Sequence, residues 1–481
     1  MNFIPSKRTL SCTLALGATL GATAPSFATN GYFLIGYGAK ARSMGGAGVA
    51  FAQDSLAAAA NPAGMTDVEM DTMRIDVGGE FFLPKRGFVN DSSTLESGFP
   101  GSDQPVNHRS GSNVFLIPTM GGIYKFNRKL TVGVAVIGNG ANTRYDQSIP
   151  GKPSCMDGNT TGGTGSTVFN FNCLSSPTGG ASLLQAQMLP GVAYKVNKNH
   201  SIGATLTLAA QQFRAYGLQS FGQDGLGYAE GEDLTNRGND YAYGAGIRLG
   251  WLGKFFENRL SVGANYASRT YMTKFDKYRD LFAESGSFDI PEHYAVGLAV
   301  KVTKKLTVAA DYQRLKYGDI KSIANEGPDA ADPFNFFPSG CQDEFAPDGT
   351  TVTGNTCLLG RNDGMGFGWH DQNIYKIGLN YDHNSEWSVR LGYNYAETPI
   401  QEDQVLFNFL APAVNEHHAT LGISYRPSKN MEWSMNYMHA FKNTVKGPTA
   451  LGPNAGLPVD GENASIDMYI NSIGLSFGYK M

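Results

Sequence analysis

One pattern recurs six times along this chain and limits its fold more than any other feature. An apolar or aromatic strand end meets a short polar turn, and a new alternating strand follows. The pattern occurs at Tyr124–Val132, Tyr194–Ile202, Trp251–Val262, Val300–Val308, Tyr381–Val389 and Tyr425–Trp433. Short turns of this kind join antiparallel strands. The strands that leave them alternate with period two. In one, Leu306, Val308, Ala310 and Tyr312 alternate with Thr307, Ala309, Asp311 and Gln313. In another, Trp387, Val389, Leu391, Tyr393 and Tyr395 alternate with Ser388, Arg390, Gly392 and Asn394. The last strand sets Ile473, Leu475, Phe477, Tyr479 and Met481 against Ser472, Gly474, Ser476, Gly478 and Lys480. Such a repeat suits a wall with lipid outside and a polar lumen inside. A soluble barrel carries the same alternation with its apolar face inward, but aromatic residues at the strand ends favour a membrane girdle.

The remaining connections are long: roughly 85–112, 143–182, 217–235, 274–290, 317–370, 402–414 and 442–463. Short turns alternating with long loops are the outer-membrane arrangement, with the short turns periplasmic. Six turns join twelve strands. One more strand precedes the first long loop (about Thr72–Pro84) and one follows the last (about Ala464–Met481). The reading is an all-β, 14-stranded antiparallel transmembrane β-barrel over residues 71–481.

The start of the chain reads as a secretory signal peptide over residues 1–28. Lys7 and Arg8 form a basic region, a small and apolar stretch follows, and Ser26-Phe27-Ala28 offers a cleavage site. Its loss takes Lys7 and Arg8 and no acid, so the net charge moves from −4 to −6. No basic surplus remains for a nucleic-acid partner. No later segment is long and apolar enough for a spanning helix. Abundant Gly (60), Tyr (23) and Phe (28) with only 17% charged residues fit a barrel instead.

Cys12 falls in the signal segment. Cys155, Cys173, Cys341 and Cys357 remain, which allow three pairings. The reading is two local bridges, Cys155–Cys173 and Cys341–Cys357, each in a polar loop exposed to an oxidising compartment. Neither spacing suits zinc.

Residues 29–70 break the barrel pattern. They are Gly/Ala-rich, weakly helical at Ala57–Ala60, and end at Asn61-Pro62-Ala63-Gly64, a turn signal. Tyr32, Phe33, Leu34, Ile35, Tyr37 and Phe51 make them too apolar for a solvated tail. A hatch inside the lumen is expected, because a barrel of this width needs filling.

Several further stretches stand out in order along the chain: Asn30-Gly-Tyr-Phe33, Ala39–Gly48, the N-P-A motif Asn61-Pro62-Ala63, Leu281–Pro291, and Trp387-x-x-Arg-x-Gly-Tyr393 with Thr398-Pro399. Through them the chain resembles the FadL/TodX family of outer-membrane transporters for long-chain fatty acids and hydrocarbons. The resemblance implies capture of a hydrophobic ligand by outer loops, a lumen pocket near the hatch, and sideways exit at a kink in the third strand. That strand, about Lys129–Arg144, contains Gly138-Asn139-Gly140, and glycine pairs inside a strand permit a bulge. A simple bend, or clearance for the hatch, is the alternative. A sideways exit suits a hydrophobic ligand, which lipid accepts and water does not.

The outer groove is expected from Tyr216, Leu218 and Phe221 with Phe275, Tyr278, Leu281 and Phe282; a small loop core is the other reading. Tyr278, Leu281 and Phe282 share a helical face. Tyr32, Phe33, Leu34 and Ile35 either line the inner pocket or anchor the hatch. A carboxylate ligand would call for a lumen cation, with Arg390, Lys480 and Arg144 as candidates.

No catalytic set, cofactor site or metal site is legible. Gly474-Leu-Ser-Phe-Gly478 matches a nucleophile elbow but lies in a strand with no following helix. Gly36–Ala41 matches a dinucleotide motif without a βαβ unit. His417-His418 reads as surface or lumen-facing, and the acids of the 317–370 loop lack calcium-loop spacing. The expected partners are a hydrophobic small molecule and outer-membrane lipid, with the chain a monomer. A general diffusion porin and a surface receptor or adhesin are the alternatives.

Overall fold

The computed structural model describes residues 29–90, 106–146, 178–218, 221–222, 229–327, 341–345, 347, 349, 352–405, 407–447 and 464–481. The expected signal peptide and the Cys155–Cys173 pair lie outside these residues.

Fourteen antiparallel staves form the wall. They are β1 (Met73–Asn90), β2 (Val106–Arg109 and Phe115–Lys125), β3 (Leu130–Asn142 and Tyr145–Asp146), β4 (Thr178–Lys195) and β5 (His200–Tyr216). Then come β6 (Asp240–Phe255), β7 (Leu260–Ala267 and Tyr271–Met272), β8 (His293–Lys301), β9 (Leu306–Leu315) and β10 (Gln372–Asp382). β11 (Trp387–Ala396), β12 (His417–Tyr425), β13 (Met431–Gly447) and β14 (Ala464–Lys480) complete the wall. The sheet closes where β1 pairs β14 from Arg74↔Lys480 to Asn90↔Ala464.

The recurrent turn has a physical cause. One side chain at its start caps the backbone that follows. Asn127 Oδ1 accepts from the amides of Lys129 (2.8 Å) and Leu130 (2.9 Å). Asn197 does the same for Asn199 and His200, Thr303 for Lys305 and Leu306, and Asn384 for Glu386 and Trp387. Asn and Thr turns of this kind reverse the chain without a glycine.

The alternation is apolar-out. On β11, Val389 is 44% and Leu391 53% exposed, while Ser388 and Asn394 are fully buried. A soluble barrel would reverse this, because a wall of exposed large apolar side chains is stable only against lipid. Trp387 stacks on Tyr425 near the short turns, and Tyr312, Tyr375 and Tyr395 pair across β9, β10 and β11 towards the other end. These are the two aromatic girdles. Of the His pair, His417 is exposed and stacks on Tyr393, while His418 is buried on the lumen side.

β1 runs past the expected end at Pro84 to Asn90. The reason lies next door. β1 pairs β2 through Phe82↔Phe115 and again from Gly87↔Arg109, and the ladder is interrupted between them. Pro84 stands opposite that interruption, where a missing N–H costs no ladder bond.

Residues 29–70 lie against the inward face of the wall, and they fit it in two ways. Around β5 to β12 the fit is steric. A Cβ added at Gly392 would collide with the Gly45 nitrogen and one at Gly263 with the Val49 oxygen, while one at Gly203 would lie 2.5 Å from the Ala63 nitrogen. Only glycine lets one backbone approach another this closely. Around β1, β13 and β14 the fit is ionic. Lys40 and Arg74 share Glu432 at 2.5 and 2.7 Å, Arg74 also pairs Asp76, and Arg42 pairs Glu80. Asp76 accepts the Ser55 amide at 2.8 Å. The N-P-A motif docks too: Asn61 caps its own turn through Ala63 N and donates to Val49 O (2.8 Å) and Trp251 O (2.9 Å).

Glycine at 392 is therefore an expected requirement of the fit. Gly392→Leu should still fold, read as heat-modifiable migration on a gel, but should expose Lys40 and Arg42 to trypsin. Protection equal to the unmodified chain would contradict the steric seat.

Candidate functional site

The ladder between β2 and β3 is short. It runs from Lys125↔Thr131 only to Met120↔Val136. On its other side β3 stays paired to β4 as far as Asn142↔Ser182. Above Val136 a seam therefore opens in the wall. A bond from Gly111 N to Arg144 O (2.7 Å) bounds it at the top. Gly138, Asn139 and Gly140 lie on this seam. Their ladder to β4 carries no register shift, so the expected bulge is replaced by loss of the neighbour on the β2 side. Two bonds join this stretch to the N-terminal segment: Gly140 N donates to Tyr32 O, and the Asn139 side chain accepts from Leu34 N through Oδ1, both at 3.3 Å.

Two small apolar cavities stand inside this seam. The first, of about 20 Å³, is lined by Gly140, Ala141, Asn142 and Thr143 of β3 and its loop, with Arg86 and Met468. The second, of about 40 Å³, is lined by Leu183, Phe213, Phe282, Phe288, Phe367 and Leu410 among others. Tyr32, Ala141, Trp369 and Ala411 belong to both walls. Among the described lining residues Arg86 is the one charged side chain; it donates to Ser112 O at 2.5 Å and lies over the Phe115 ring.

The structure gathers many of the sequence-derived residues into one apolar cluster. Tyr32, Phe33, Leu34, Ile35, Leu218, Phe221, Phe275, Tyr278, Leu281 and Phe282 all belong to it and are buried. Tyr32 and Phe282 line the cavities. Phe33 meets His293 edge-on, and Leu34 and Ile35 line a separate polar cavity with Arg248, His293 and Lys376. Tyr278, Leu281 and Phe282 form a single turn, since the Leu281 and Phe282 amides donate to Tyr278 O. They pack against Phe213, with Phe213–Phe282 centroids 4.7 Å apart. Tyr216 is half-buried at the seam and donates to Thr143 O at 2.9 Å.

None of the three candidate cations lines these cavities. Arg390 donates to Gln53 and Ser424, Lys480 pairs Glu69, and Arg144 is exposed. Cys341 and Cys357 are joined in a disulfide in the loop between β9 and β10.

Sequence reasoning missed Arg86, Tyr317, Trp369 and Asn408. Tyr317 donates to Asn30 O (2.9 Å) and meets Trp369 edge-on. Burial raises the Tyr317 phenol well above its ordinary value, and burial likewise raises Tyr278, so both stay protonated donors. Asn408 accepts from the Trp369 indole at 2.6 Å and donates to Phe367 O and Gln404 O. No spacing rule marks a lone Asn in a loop; only the fold shows that it ties two segments together.

Asn408→Leu should strand the buried indole N–H and cost about 1–3 kcal/mol. Trp369 is buried, and Trp387 and Trp433 are exposed to lipid. The expected readout is a lower unfolding midpoint with a red shift in emission of the buried tryptophan; an unchanged midpoint and spectrum would contradict the clamp.

The description "Outer membrane protein transport protein (OMPP1/FadL/TodX)" belongs to the family whose profile matches residues 16–471. A relative from Neisseria meningitidis serogroup B, the putative outer membrane protein NMB0088, is 25% identical over 499 residues, spanning 97% of each chain. The toluene transporter TodX of Pseudomonas putida is 17% identical with a TM-score of 0.62, covering 94% of this chain and 100% of its own. A FadL homologue from Pseudomonas aeruginosa is 14% identical with a TM-score of 0.56, covering 95% of this chain and 99% of its own. These likenesses in structure concern the fold.

Proposed function

This chain belongs to the outer-membrane transport protein (OMPP1/FadL/TodX) family, and from that premise we propose that it moves neutral hydrophobic small molecules sideways through its wall. The family is one of outer-membrane transporters, and the outer membrane is where this barrel resides. The observation that carries the proposal is the seam above Val136, which stands directly beside the two apolar cavities.

Outer-loop residues Phe221, Tyr278, Leu281 and Phe282, packed over Phe213, take the ligand from outside. Residues 29–70, with Asn61-Pro62-Ala63 as their dock, act as the hatch that closes the lumen of the 71–481 barrel to polar solutes. The ligand passes the second cavity, then the first, and leaves between β2 and β3 at Gly138-Asn139-Gly140. Lipid outside the seam accepts an apolar molecule that the polar lumen below would reject. The chain acts as a monomer, with lipid as its surroundings, and performs no covalent chemistry.

The cavities also bear on ligand charge. The second cavity is walled by Phe, Leu, Ile, Ala, Trp and Tyr. A carboxylate there would lose its water without a partner, at a cost of several kcal/mol. The toluene transporter TodX has the same fold, which supports an aromatic hydrocarbon as the first ligand to try.

Calorimetric titration of the folded, detergent-purified barrel tests this. Toluene and hexadecane should bind, and benzoate and oleate should bind at least about tenfold more weakly, the factor that roughly 1.4 kcal/mol produces. Binding of oleate alone would reassign the ligand to carboxylates and direct attention to Arg86. Binding of none would overturn transport and favour the porin or receptor reading.

A further inference from the structure

The cavities are too small for any hydrocarbon the barrel is proposed to carry. An apolar cavity of about 150 Å³ holds a benzene, and these hold about 40 and 20 Å³. Side chains must therefore move, and the structure shows which ones stand in the way. The two cavities touch only through the residues they share, Tyr32, Ala141, Trp369 and Ala411. On one side lie the aromatic rings under the outer loops, and on the other lies the break in β3. These four residues therefore stand between the two cavities.

We propose that Tyr32, Ala141, Trp369 and Ala411 form a neck that sorts ligands by width. The inference rests on the transport reading above and adds a specificity device to it. The neck has two large members and two small ones. Trp369 is held by Asn408 and Tyr317. Ala411 is held by the same Asn408, whose carbonyl accepts the Ala411 amide at 3.0 Å. One buried side chain and its backbone thus set the distance between the indole and the facing alanine.

The neck is also tied to the seam. Thr143 Oγ1 donates to Leu410 O at 2.8 Å, and Tyr145 OH donates to Phe409 O at 3.0 Å. The loop that carries Ala411 is therefore bonded to the residues at the break between the two segments of β3. Ala141 stands on β3 itself, beside Gly140, whose amide is bonded to Tyr32 O. Three of the four neck residues are thus fixed against the rim of the opening. Two of the four are alanines, so a larger residue at either place would narrow the passage that opens when the large pair moves.

The test compares a narrow and a wide ligand, toluene and 1,3,5-triethylbenzene. Uptake is measured in cells carrying the full chain in an outer membrane, and affinity on the purified barrel. Ala411→Phe should lower the wide-to-narrow uptake ratio by about tenfold, and Trp369→Ala should raise it by a similar factor. Ala141→Phe repeats the narrowing from the wall side and serves if either variant fails to fold. Uptake ratios unchanged from the unmodified chain in folded variants would overturn the neck. So would affinity ratios that shift as much as the uptake ratios, because the cavity itself would then do the sorting. Absence of toluene binding and uptake in the unmodified chain is a different result: it overturns the transport reading, and the neck with it.

Discussion

Backbone pressed on bare backbone is the contact on which the inside of this barrel depends. Met44 and Gly45 lie so close to Gly392 and Gly378 of the wall that no side chain fits between them. Val49 meets Gly263, and Pro62 and Ala63 meet Gly203. The opposite flank is held by charge instead, through Lys40, Arg42, Arg74, Asp76, Glu80 and Glu432. Ions this deeply buried stand only when paired, and removing one partner of such a pair typically costs about 3–5 kcal/mol. A steric seat on one side and an ionic one on the other place residues 29–70 in a single position. That position brings Tyr32 to the seam.

The seam follows from the same economy of backbone bonds. Where β3 loses β2, its amides and carbonyls need other partners, because unpaired polar groups against lipid are costly. The N-terminal segment supplies one of them, Tyr32 O to Gly140 N, the Asn139 side chain in turn accepts from Leu34 N, and the Phe409 and Leu410 carbonyls bind the side chains of Tyr145 and Thr143 just above. A gap in the wall is thereby kept without loss of the sheet, and apolar surface lies beside it.

Much of the fold was legible because it obeys local rules. Asn127, Asn197, Thr303 and Asn384 each cap a turn with their own side chain, so the turn is written in a few consecutive residues. Fourteen staves followed from counting such turns. The face that meets lipid was not fixed by alternation alone; burial of Ser388 and Asn394 beneath exposed Val389 and Leu391 decides it. β1 continues past Pro84 because a gap in β2, in a different part of the chain, leaves the proline without a ladder bond to lose. At the site, Phe221, Phe275, Tyr278 and Phe282 could be grouped from their loops, but their union with Tyr32, Phe33, Leu34 and Ile35 in one cluster could not. Arg86, Trp369 and Asn408 carry no local signature, and their roles come from neighbours that the fold, not the sequence order, sets beside them.

If residues 29–70 close the lumen, passage is confined to the apolar route through the wall. Single-channel conductance in a planar bilayer decides this, with the chain from residue 29 onward compared with one lacking residues 29–47. Almost no ion current is expected through the first and a large, steady conductance through the second, once both are shown to be folded. Equal and substantial conductance from both would mean that the lumen is already open to water, and a diffusion porin would then describe the protein better.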